Sequence, residues 1–165
     1  MQFLEETEIW VKGEVAQGKI MLAIALLLLV AVVAIWQSGH PVLKGMLVPL
    51  SLLTLIVGGY GGFQVAARPG HLTKVQEWHA ENPATAHEKE LTKANKDHQA
   101  YSRLKLIWVA LVIAAAVLYY LVSKEYWKGL SIGLMLLFVA GLLLDTALHH
   151  RLLAYKKVLE AVNNS

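Results

Sequence analysis

Four stretches of this chain contain no Asp, Glu, Lys or Arg: 20–43, 45–67, 106–123 and 129–144. A helix needs about 20 mostly apolar residues to cross the ~30 Å hydrocarbon layer of a bilayer. The first three runs meet or approach that length. The fourth does so if it continues past Asp145 to Leu148. Composition agrees: 56% of the residues are hydrophobic and 16% charged, well below the charged quarter of a soluble domain, and mean hydropathy is +0.49. The sequence therefore predicts an all-α membrane protein of one domain. It has four transmembrane helices, at about 19–38, 43–67, 104–123 and 127–148.

The first run follows "MQFLEETEIWVKGEVAQG" (1–18), an acidic amphipathic segment. A secretory signal opens with a basic region and ends in a small-residue cleavage site, so the run is expected to stay as a span. Basic residues set the orientation. Lys44, Lys124 and Lys128 lie in the connections between spans 1 and 2 and between spans 3 and 4; the other twelve lie on the opposite side. By the positive-inside rule both termini and the middle segment are expected in the cytoplasm. Of the histidines, only His40 then faces out. The chain has no cysteine, so it has no disulfide, thiolate ligand or thiol nucleophile. A formal charge of +3 without a basic motif gives nucleic-acid binding no support.

Continuity of the helices can also be read from the sequence. Asn82 and Pro83 mark a turn and a first helical turn, and Thr85 with Glu88 reads as a capping box. Residues 84–123 then run without a breaker and predict a helix about 60 Å long. Residues 2–37 and 127–162 are likewise read as continuous. "ARPGH" (67–71) is expected to kink or break the second helix, and Pro49 to bend it. The result is an antiparallel up-down-up-down bundle with cytoplasmic helical extensions at 70–103 and 149–165. "GGYGGF" (58–63) predicts close helix packing; the competing reading is an unwound ligand-binding segment. Trp36, Trp108 and Trp127, with Tyr119, Tyr120 and Tyr126, read as interfacial anchors.

Candidate functional residues emerge when the ionisable groups are ranked by depth. Counting outward from Lys19, Arg68, Arg103 and His150, the positions Glu14, His71, His98 and His149 fall near one level, one on each helix. Asp145 lies one turn deeper on the face of His149. Imidazoles and carboxylates from facing helices are what a metal site in a bundle core requires, and they suit Zn, Fe or Mn. A weaker set, Glu77, His79, Glu81 and His87, lies nearer the cytoplasmic tip. No Glu-x-x-His pair of the di-iron kind and no HExxH motif accompanies them.

Other readings compete. Asp145 in a salt bridge to Lys19 or Arg103 would be ordinary structure, and Glu88, Glu90 and Lys93 read as surface pairs. Ser102, Thr73, Thr92 and Thr146 lack a supporting base, no catalytic residue stands out, and no organic cofactor is indicated.

"ETEIWVKGEVAQGKIML", followed by four spans and a charged middle segment, resembles a group of small bacterial four-helix inner-membrane proteins with no assigned activity. The resemblance covers most of the chain, in layout and in "KGEVAQGK". It implies a bacterial inner-membrane protein and transfers no functional residue. The sequence reading is thus a membrane bundle binding a transition metal at its cytoplasmic rim, where the metal would activate water or support redox chemistry. The alternatives are a non-enzymatic scaffold with an ion-pair network and a small transporter subunit acting as a homo-oligomer. The expected partner is the lipid bilayer.

Overall fold

The computed structural model describes residues 2–162. Met1 of the opening segment and residues 163–165 of the C-terminal extension lie outside the described residues. The fold is all-helical: α1 (Gln2–Gln37), α2 (Pro41–Glu81), α3 (Pro83–Leu121) and α4 (Glu125–Val162). Among the described residues there is no strand. All four helices are long and apolar enough to cross a membrane.

Local chemistry explains the helix starts. Pro41 and Pro83 occupy first-turn positions, where a missing N–H costs nothing. The Asn82 side chain accepts from the Thr85 N–H at 3.1 Å and caps α3. The helix thus starts at Pro83, as the Asn82–Pro83 turn predicts, with Asn82 rather than Thr85 supplying the capping oxygen. His40 does the same for α2, its Nδ1 accepting from Val42 N–H at 3.3 Å.

The expected break at "ARPGH" is absent. α2 runs unbroken through both Pro49 and Pro69. The backbone bond lost at Pro69 is offset by contacts on either side: Arg68 pairs with Glu14, His71 lies against Glu90, and Val75 is fully buried. Tertiary packing overrides the local preference here. "GGYGGF" is helical throughout, so no backbone is unwound.

Packing divides the molecule into two halves. Where the chain is apolar, the core consists of Met21, Ala25, Leu50, Leu53, Val57 and Leu137, from α1, α2 and α4 only. Where it is polar, Phe3, Val75, Ala86, Ala94, Leu152, Tyr155 and Leu159 form a second core to which all four helices contribute. α2 packs broadly on α1 and on α4, and α4 on α3, but α3 touches α2 only lightly. α3 thus closes the bundle in its polar half and stands away from α2 in its apolar half. α1 and α2 meet closely at Gly18 and Gly61, where a Cβ on either would lie 2.8 Å from the other's carbonyl oxygen.

Candidate functional site

Three polar assemblies and one cleft lie in the polar half and at its border with the apolar half. The first centres on Glu14, which is 3% exposed. Arg68 Nη2 lies 3.2 Å from its Oε2 and Gln64 Nε2 donates to the same oxygen at 3.0 Å. Gln64 and Arg68 are four residues apart and so share one face of α2. From α4, Arg151 approaches Glu14 Oε1 at 3.9 Å and donates to Gly13 O at 2.6 Å and Gln17 Oε1 at 2.8 Å. Gly13 leaves room for this guanidinium, since a Cβ there would overlap it. Arg68 also lies over the Trp10 ring, 4.9 Å from its centroid.

The second assembly draws on all four helices. Glu90, on α3, is 2% exposed. His71 Nε2 of α2 lies 3.1 Å from its Oε1, and Tyr155 of α4 donates to its Oε2 at 3.2 Å. The Tyr155 hydroxyl is also 2.9 Å from Thr7 Oγ1 of α1. Lys93 directs its ammonium at His71 Nε2, 3.1 Å away. Burial pushes the Glu90 carboxyl up, but His71, Lys93 and the Tyr155 hydroxyl together hold it below the usual carboxylate value.

The third is an imidazole pair. His98 Nδ1 and His149 Nε2 are 2.7 Å apart, and Tyr101 stacks on the His149 ring. His149 is 6% exposed and its Nδ1 has no hydrogen-bond partner among the described residues. Leaving a lone pair unmet costs less than leaving an N–H unmet. The favoured tautomer therefore has His149 Nε2–H donating to His98 Nδ1.

Beside these lies a cleft of about 380 Å³. Its apolar wall includes Leu53, Ile56, Leu104 and Leu137, and its polar end holds Arg68, Asp97 and Asp145 with Tyr60, Tyr101 and Trp108. The cleft exists because α3 leaves α2 uncovered at this level. Trp108 Nε1 donates to Asp145 Oδ2 at 2.5 Å. Trp108, rather than the Lys19 or Arg103 of the competing ion-pair reading, is thus the partner of Asp145, and it gains a hydrogen-bonding role beyond anchoring.

The predicted ligand set is not brought together. Glu14 sits among arginines, His71 with Glu90, Asp145 with Trp108, and only His98 and His149 meet each other. Of the weaker set, His79 and His87 both pack on Phe3, while Glu77 and Glu81 are exposed. Among the described residues no group of three or more His, Asp or Glu is arranged to hold a metal ion. Equal depth along the helices does not imply equal azimuth, and azimuth separates these residues.

Sequence reasoning missed Glu90, Gln64, Arg68, Arg151 and Asp97. Glu90 is the clearest case, because it reads as a surface residue and is buried. A signal was present: Ala86, Glu90 and Ala94 are four apart, and both alanines are core. No protein-family model, curated protein or solved structure matches the chain.

Proposed function

We propose that this is a multi-pass protein of a bacterial inner membrane, an up-down-up-down bundle with both termini cytoplasmic, whose function is non-covalent binding of an amphiphile. The cleft supports this reading most strongly. It is of ligand size, lies where α3 stands off from α2, and passes from an apolar wall to a polar end. At bilayer depth such a cleft opens sideways to lipid, and its polar end would lie at the cytoplasmic rim. The Glu14 and Glu90 assemblies then act as the ion-pair framework that holds the helices around it, which accords with the scaffold alternative from the sequence. Native mass spectrometry of protein released from membranes tests the reading. A one-to-one amphiphile adduct is expected, and Ala100→Trp, which fills the cleft mouth, should abolish it. An adduct unchanged in that variant would overturn the proposal.

A second reading has one observation in its favour. His98 and His149 place two imidazoles side by side, and on giving up their mutual hydrogen bond and moving apart slightly they would offer two ligands for Zn, Fe or Mn, with water completing the shell. Elemental analysis of protein purified without chelators should find metal that His98→Ala and His149→Ala both remove. Background metal in the unaltered protein rejects it.

A further inference from the structure

The charges around the cleft narrow its ligand. Three charged side chains line it: Arg68, Asp97 and Asp145. Arg68 is already matched, since its guanidinium pairs with buried Glu14 at 3.2 Å and lies over Trp10. The two aspartates are not. Among the described residues neither forms a salt bridge within 4.0 Å, and Asp145 is met by the neutral Trp108 N–H alone. Lys93, one turn before Asp97, feels its charge but directs its ammonium at His71, so Asp97 keeps no direct ion pair and Asp145 has no cation beside it. Asp145 lies within the fourth expected span, where an unpaired carboxylate is expensive and marks a functional position, and Asp97 faces the same cleft from the cytoplasmic side. Tyr60, Tyr101 and Trp108 line the same end, and aromatic faces attract cations most strongly where water is scarce.

We infer that the cleft binds a monovalent organic cation with an apolar body, its charge between Asp145 and Asp97 and its apolar part against Leu53, Ile56 and Leu137. This inference rests on the cleft reading above. The shared chemistry is a cationic nitrogen or phosphorus centre carrying hydrocarbon. The source is either a lipid amine headgroup or a soluble lipophilic cation.

Three probes of like shape separate the possibilities: tetraphenylphosphonium, tetraphenylborate and neutral triphenylphosphine oxide. Binding to the full chain in phosphatidylglycerol nanodiscs is measured by equilibrium dialysis against empty discs. The cation should bind saturably, and Asp145→Asn should weaken it by roughly tenfold or more, the loss expected of a half-buried charge. Asparagine still accepts from Trp108, so a folded cleft is retained, and binding of the neutral probe should not change. Cleft-dependent binding of all three probes alike, or preference for the anion, overturns the cation inference and leaves the cleft reading standing. Binding of none above empty discs, or binding indifferent to Ala100→Trp, overturns both. Adding phosphatidylethanolamine to the discs then identifies the source. Weakened cation binding assigns the cleft to a lipid amine, and unchanged binding assigns it to a free cation.

Discussion

The Trp108 indole donates to Asp145 across α3 and α4, and it does so over Gly141, one turn before the acid. A Cβ at Gly141 would lie 3.1 Å from the indole ring. Glycine thus provides the space and aspartate the acceptor, on one face of α4. Trp108→Phe keeps the ring and removes the donor, leaving Asp145 with no partner in a half-buried position. Unfolding in detergent should show a loss of about 1–3 kcal/mol, and Asp145→Asn in that background should restore part of it. A Trp108→Phe variant as stable as the unaltered chain would mean that Asp145 is solvated.

The Glu14 assembly should behave as a buried ion pair. Glu14→Ala leaves Arg68 and Arg151 without the carboxylate they share and should cost about 3–5 kcal/mol. Glu14→Ala combined with Arg68→Met should be less destabilised than Glu14→Ala alone, because the stranded charge is gone. Additive losses in the double variant, followed by thermal unfolding, would show that the two side chains are not coupled.

Glycines one residue apart should differ sharply. A Cβ at Gly61 meets the Gly18 carbonyl at 2.8 Å and Met21 Cβ at 2.9 Å, both on a packed neighbour that cannot swing aside. Gly61→Ala should destabilise by about 1–3 kcal/mol. Nothing lies within 4 Å of a Cβ at Gly62, so Gly62→Ala should be neutral or gain up to about 1 kcal/mol from helix propensity. Equal effects at the two positions would contradict the α1–α2 packing.

Glu90 predicts an acid limb in the stability profile. Its folded-state value lies below the ordinary 4.5, through His71, Lys93 and Tyr155 acting against burial. The unfolded chain therefore takes up the proton first as pH falls. The stabilisation is complete above 4.5 and is lost as pH drops through the folded-state value. Glu90→Gln should flatten that limb in a melting-temperature series, and a limb that persists unchanged would assign it to other carboxylates.

Much of the architecture could be read from residue order alone. Charge-free runs mark the four helices, and Asn82–Pro83 marks the turn between α2 and α3. The sequence misled where a local rule met a tertiary contact. Pro69 should break a helix, yet Arg68 and His71 anchor it on both sides. Glu90 lies in a charged stretch, yet its phase with Ala86 and Ala94 turns it inward. The candidate metal residues are not gathered into one cluster for a related reason: rise per residue ranks depth well, but packing decides which faces meet. His98 and His149 met, whereas Glu14 found arginines. The cleft was not readable at all, since it arises from α3 standing off from α2, which no residue pattern encodes.

The cleft itself is tested most directly by photolabelling the reconstituted protein with a diazirine-bearing amphiphile and mapping the modified residues by peptide mass spectrometry. Labelling should concentrate on Leu53, Ile56, Leu104 and Leu137, which line the cleft, and should fall when unlabelled amphiphile is added. Labelling spread over the exposed residues Leu26, Leu55 and Leu106, with no competition, would contradict the account.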